Sequence, residues 1–172
     1  KQMLAELGAS IEEKSLPLSL EEYQARSAPI SAGDAYASYA HLADDPNAPL
    51  NEATRKRMMI GKSITGKDRI LAQRKREIAI CDFLAWLDRY DALLLPSVPH
   101  TAIRLSDVDE DNHSNSLYTR PANYLTLSSL SVPMGLSPAG LPTSLQIVTR
   151  HLDDPLALRI GQAFEAERGV LS

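Results

Sequence analysis

The chain predicts an α/β fold, helices alternating with short strands around one core, and three observations carry that prediction. In the middle of the sequence Ala79, Phe83, Trp86 and Tyr90 follow one another at spacings of four, three and four, with Ile80, Leu84 and Leu87 beside them. That is the broad apolar stripe of a helix packed on a core. Directly after it, Asp91-Ala92-Leu93-Leu94-Leu95-Pro96 is a short apolar run stopped by proline, the pattern of a strand buried on both faces. Further on, Ser144-Leu145-Gln146-Ile147-Val148-Thr149 alternates as a strand does. With 172 residues, 44% of them apolar, the chain is long enough to hide most of its surface in a single domain over residues 1–172.

Each element has its own signal. Met3 to Leu7 reads as the last turns of a helix closed by Gly8. A chain that opens at Lys1 inside such an element suggests further sequence upstream. Ala9 to Glu13 alternates like a short strand, and Pro17 ends the unit. Ser19 with Glu22 forms a capping-box pattern for a short helix, and Ser31 with Asp34 opens a second through about Ala43. Asp44 to Pro49 is a turn. A long helical stretch runs from Asn51 to Tyr90, interrupted between Gly61 and Gly66, where Thr65 and Asp68 cap a new start. Residues 97–118 carry no periodicity and a cluster of acids, which predicts a mobile acidic surface loop. Pro121 to Thr126 predicts a short helix, Leu130 to Val132 a strand ended by Pro133, and Gly135 to Pro142 a turn. Asp154 as N-cap with Pro155 at the first helical position starts a terminal helix that Gly169 ends.

Composition excludes several functions. A net charge of −4 and 5% aromatic residues do not suit a protein built to bind nucleic acid by charge and base stacking. No apolar run is long enough to span a bilayer, so no membrane role is expected. Cys81 is the lone cysteine and sits among Ile78, Ala79, Ile80, Phe83 and Leu84, which predicts an inert thiol in the core and a cytoplasmic setting. Asp107, Asp109 and Asp111 have the spacing of the first ligands of a calcium loop. Asn112 stands where that loop needs glycine and Tyr118 where it needs a bidentate glutamate, so a solvated acidic loop is expected instead. His41, His100, His113 and His151 show no pairing at helical metal-ligand spacing. There is no G-x-S-x-G elbow and no glycine-rich phosphate loop, and no cofactor is implied. Nine of the eighteen basic residues fall between Arg55 and Arg76 against a single acid, Asp68. They predict a solvated helix surface or, alternatively, a binding stripe.

Composition does not account for the remaining pattern. Tyr90 to Pro99, Tyr118-Thr119-Arg120-Pro121-Ala122-Asn123-Tyr124-Leu125, Ser131-Val132-Pro133-Met134-Gly135 and Gly140 to Val148 follow one another with a characteristic order and spacing. They resemble the C-terminal end of amidase signature enzymes. The likeness is strongest from Tyr90 to Val148, and it extends more softly over Leu4 to Pro17 and Arg69 to Tyr90. What it implies is the C-terminal part of that fold, a large mixed β-sheet flanked by helices. Family members hydrolyse carboxamides with a serine nucleophile, a bridging second serine and a lysine that must be neutral to accept a proton, while backbone N–H groups form an oxyanion hole. Those parts lie in a Gly-Ser-rich segment and an earlier lysine. No Gly-Gly-Ser-Ser-Gly-Gly stretch occurs here, so no catalytic residue is assigned in this chain.

The resemblance implies Tyr118, Thr119 and Asn123 as substrate-binding residues, with a loop-holding role for the Asn123 amide as the alternative. Where the family carries Gly-Leu-Pro-Ala after the asparagine, this chain has Thr126-Leu127-Ser128-Ser129, which alters the turn beside the pocket. Glutamine-dependent relatives carry an acid before the Tyr-Thr-x-Pro-x-Asn passage. Asn115 and Ser116 stand there in this chain, which favours a general amidase. The expected partners are a small amide substrate, the upstream portion of the same protein and, through apolar surface left open, a second copy. The alternative expectation is a noncatalytic interaction module that uses the basic helix 55–76.

Overall fold

The computed structural model describes residues 2–109 and 114–169. Its elements in chain order are α1 (Gln2–Glu6), α2 (Leu20–Ala43), α3 (Glu52–Lys62), α4 (Gly66–Leu87), β1 (Leu93–Pro96), α5 (Arg120–Tyr124), β2 (Ser128–Leu136), β3 (Pro142–Thr149) and α6 (Asp154–Arg168). Short 3-10 turns at Leu105–Asp107 and Ser114–Ser116 punctuate the long connection before α5. Glu110, Asp111, Asn112 and His113, part of the expected acidic loop, lie outside the described residues.

Two of the predicted caps lie where the sequence places them. Ser19 accepts from the Glu22 N–H while the Glu22 carboxylate accepts from the Ser19 N–H, and Thr65 and Asp68 repeat the arrangement at the head of α4. Asn51 caps α3 through the Thr54 N–H. The last helix starts at Asp154 with Asp153 as its N-cap, one residue earlier than predicted. Instead of two short helices, α2 is a single element that runs through Pro29 and bends at Tyr39, where φ reaches −127°. The hydrogen bond lost at Pro29 is tolerated because α2 packs on α3, α4 and α5.

The sheet has the order β1-β3-β2, and both pairings are antiparallel, Leu94 opposite Ile147 and Leu130 opposite Ile147 on either side of β3. Helices cover both faces. On one side Tyr23, Phe83, Leu87, Tyr124 and Leu125 form a core between α2, α4 and α5, with Leu93 of β1 against it. On the other, Val132 and Ile147 pack against Ala157 and Phe164 of α6 and Leu4 of α1, joined by Leu94. Leu93 and Leu94 thus serve opposite faces of one strand, as the pleat requires.

Four further expectations need correction. Ala9 to Glu13 is irregular, because the nearest strand, β1, stands across an open groove and supplies no backbone partner. β1 is only half-buried, being an edge strand among the described residues. β2 does not stop at Pro133: it is also an edge strand, and a register shift between Pro133 and Gly135 absorbs the missing N–H. Cys81 is exposed, because the stripe that α4 buries runs through Ala72, Ala79, Phe83 and Leu87 and leaves Cys81 on the other side. No helix among the described residues is long and apolar enough to cross a membrane.

Candidate functional site

The passage Tyr118 to Leu125 folds as a turn followed by α5, and α5 closes a polar cleft of about 160 Å³ against α2 and α4. Asn123 is exposed on α5 and lines this cleft with Arg120 and Tyr124, opposite Ser27, Ile30, Ser31 and Asp34 of α2 and Arg76 of α4. Tyr118 and Thr119 lie one turn earlier and are not part of its lining. Thr119 precedes the helix without capping it, and its hydroxyl donates to the Ser116 carbonyl at 3.3 Å, which holds the turn. Of the three residues singled out from the sequence, the fold therefore brings Asn123 to the cleft and leaves the other two outside its lining.

The cleft is charged in a definite way. Arg76 donates its Nε–H to the Tyr124 carbonyl at 2.6 Å, which ties α4 to the end of α5. Arg120 donates to the Ser116 hydroxyl at 3.0 Å, while its Nε is buried with no partner among the described residues. Asp34 is the acid of the cleft, and it is already paired with Arg69 at 2.8 Å. Tyr124 is 4% exposed, and its hydroxyl is buried without a partner among the described residues. Burial pushes this phenol above its ordinary value and the nearby Arg26 and Arg76 only oppose the rise, so at neutral pH it remains an O–H donor. The arrangement is rich in donors and short of acceptors.

Arg76, Arg120 and Tyr124 were not singled out from the sequence. Arg120 and Tyr124 stand inside the Tyr118 to Leu125 passage, and Arg76 belongs to the basic stripe. That stripe is largely consumed by structure. Arg55 donates to the carbonyls of Leu42, Ala43, Asp45 and Ala48, at 2.6 to 3.0 Å, and so staples the turn after α2. Arg69 bonds the Ile30 carbonyl, and Lys62 pairs with Asp44 at 2.8 Å. Among the described residues no cluster of His, Cys, Asp or Glu offers a metal site.

A second polar group lies on the sheet. Ser97 and Ser131 share a hydrogen bond of 2.6 Å, and Gln146, 2% exposed, donates to Ser129 at 2.7 Å across the hairpin. Beside the sheet, two larger grooves of about 420 and 570 Å³ separate the irregular segment 9–16 from β1. They are lined by Ile11, Leu94 and Tyr90, and the Tyr90 hydroxyl bridges them by donating to Glu12 at 2.7 Å.

Comparison with known proteins gives a consistent answer. A family model described as Amidase matches residues 1–158. A glutamyl-tRNA(Gln) amidotransferase subunit of Rickettsia bellii (strain RML369-C) is 34% identical over 125 residues, which cover 68% of this chain and 25% of that protein. The protein of the same name from Myxococcus xanthus (strain DK1622) is 42% identical over 99 residues, 56% of this chain and 20% of the relative. Among solved structures, one described as an amidase superposes with a TM-score of 0.83 at 28% identity, over 96% of this chain and 39% of its own. The corresponding glutamyl-tRNA(Gln) amidotransferase subunit of Thermotoga maritima superposes with a TM-score of 0.61 at 26% identity, over 95% and 36%. The chain thus spans a quarter or less of these sequence relatives and under two fifths of these solved structures.

Proposed function

The chain belongs to the amidase family, and from that premise we propose that it is the C-terminal part of a hydrolase acting on carboxamide C–N bonds, inactive as the isolated 172-residue chain. The observation that carries the reading is the folding of the Tyr118 to Leu125 passage, which delivers Asn123 to a polar cleft between α2, α4 and α5. In this reading Asn123 contacts substrate, and Tyr118 and Thr119 shape the approach. The nucleophilic serine, the bridging serine and the lysine come from sequence outside this chain, which holds no Gly-Gly-Ser-Ser-Gly-Gly stretch. The substrate is a general carboxamide. Sequence relatives named as glutamyl-tRNA(Gln) amidotransferase subunits support amide chemistry, while Asn115 and Ser116 before the Tyr-Thr-Arg-Pro-Ala-Asn passage argue against glutamine as the dedicated donor. The remainder of the same polypeptide is the expected partner. A cytoplasmic setting suits the exposed lone thiol of Cys81.

The competing reading, an interaction module working through residues 55–76, is weakened by the anchoring of Arg55, Arg69 and Arg76 on protein carbonyls. Ammonia release separates the possibilities. The chain alone should release none from simple carboxamides, and a polypeptide extended upstream to include the serines and lysine should release it from simple amides in preference to glutamine. Turnover by the chain alone would place the nucleophile within it. An extended polypeptide inert toward every carboxamide would remove the hydrolase reading.

A further inference from the structure

We propose that the outer face of α4 is the surface through which two copies of this polypeptide pair, their α4 helices lying antiparallel about a two-fold axis. The inference goes beyond amide hydrolysis and uses none of the cleft residues. The core takes one side of α4, where Ala72, Ala79, Phe83 and Leu87 are buried. On the opposite side Leu71, Arg74, Ile78, Cys81 and Ala85 follow one another at steps of three, four, three and four, all of them exposed. That is the seven-residue repeat of a seam between paired helices, narrower than a core-facing stripe. Ile78 is 60% exposed and Leu71 44%, so large apolar side chains stand in water along the seam. Ile70 and Leu84, also exposed, widen the apolar surface on one flank. Single exposed apolar residues are ordinary, whereas a strip of them rimmed by charge marks an interaction site.

The charges on the other flank identify the occupant. Asp68, Lys75, Asp82 and Arg89 stand exposed at seven-residue intervals beside the seam, Arg89 in the turn that closes the helix, and their signs alternate. Reversed, the series is its own complement. In an antiparallel pair Asp68 meets Arg89 of a second copy and Lys75 meets its Asp82, and the two-fold axis repeats both contacts. Parallel pairing in register would set each charge against itself. A surface that complements itself about a two-fold axis is what an isologous dimer requires, and flanking charges set partner and orientation in paired helices. None of the four side chains is in an ion pair among the described residues. The same alignment sets Ile78 against Cys81 and the long Arg74 against the small Ala85, which leaves room for the arginine's aliphatic stem.

The test is sedimentation of the chain carrying Leu95→Lys, a charge on the edge strand β1 that removes association through that edge and leaves the α4 face to be measured. This chain should dimerise as its concentration rises. Ile78→Asp, at an exposed position and checked for native circular dichroism, should raise the dimer dissociation constant roughly tenfold or more. Lys75→Asp and Asp82→Lys should each raise it severalfold. The double exchange, which re-forms the same pairs with signs reversed, should recover the native value. A chain monomeric at every concentration, or a dimer indifferent to Ile78→Asp, would overturn the assignment. Failure of the double exchange to recover what each single change loses would overturn the antiparallel alignment. A polypeptide extended upstream should again give a dimer sensitive to Ile78→Asp. A monomer there would assign the α4 face to the rest of the chain and overturn the second copy as its occupant. Because the readout is association, failure here would leave the hydrolase reading standing.

Discussion

Thr126 sits at φ 56° just after α5, a left-handed conformation that is strained for a β-branched residue. Its position matches the glycine that the resembled family carries there, so the departure read in the sequence has a backbone cost. Local bonds hold the residue in place: its hydroxyl donates to the Leu125 carbonyl at 2.6 Å, and the His151 Nδ1 lies 2.7 Å from the Thr126 carbonyl oxygen. Thr126→Gly should therefore stabilise the chain by about 1 kcal/mol, the relief of left-handed strain less the extra chain entropy of glycine. Chemical denaturation would show this as a raised midpoint at unchanged slope, and a lowered midpoint would mean that the hydroxyl outweighs the strain. The candidate site was legible only in part at this scale. Asn123 could be named because its neighbours carry a recognisable spacing. Arg76 could not, since in sequence it is one cation among nine, and only burial and a carbonyl partner distinguish it from Lys75.

Among the elements, the crossing of α2 and α3 has the least slack. A Cβ at Gly61 would run into the Ala32 carbonyl oxygen and lie 2.6 Å from the Tyr36 Cβ, so backbone and not a flexible side chain would have to yield. Gly61→Ala should cost about 1–3 kcal/mol, as overpacking does. Gly161→Ala, which meets mainly the movable Leu130 side chain at 2.5 Å, should cost less. Equal costs in denaturant would mean that the two crossings are equally adaptable. The same pair of helices carries a pH-dependent clasp. The Lys62 ammonium and then the Tyr36 hydroxyl donate to Asp44, and together they hold its carboxyl below the ordinary value. A group with a lowered folded pKa contributes stability above the unfolded carboxyl range, and that contribution is lost as pH falls through the folded value. Asp44→Asn should thus be less stable than the native chain at neutral pH, with the gap closing in acid. A gap that stayed constant with pH would show that the clasp acts through packing.

The whole molecule is a three-stranded sheet whose outer strands, β1 and β2, lack a further neighbour among the described residues. Beside β1 the segment 9–16 is held off by an apolar groove and tethered by the Tyr90–Glu12 bond. An unpaired edge next to an apolar groove is a template for another strand. Since relatives are several times longer than the aligned part, that strand is expected from the rest of the polypeptide or, failing it, from a second copy. Sedimentation of the chain alone should show concentration-dependent association, and a charge placed in the groove by Leu95→Lys should reduce it. A strictly monomeric native chain would count against an open edge.

Local chemistry by itself determined the caps at Ser19 and Thr65, the apolar stripe of α4 and the 144–149 strand, because each depends on residues a few positions apart, and the ordered motifs from Tyr90 to Val148 pointed to the family. Tertiary structure alone decided three other matters. It joined two predicted helices into α2 across Pro29, since packing on three helices outweighs one lost hydrogen bond. It left Ala9 to Glu13 out of the sheet, because alternation assigns faces but a strand also needs a partner's backbone. And it brought Arg76 of α4 to Arg120 and Asn123 of α5 in one cleft, a convergence between distant parts of the sequence that no local spacing encodes.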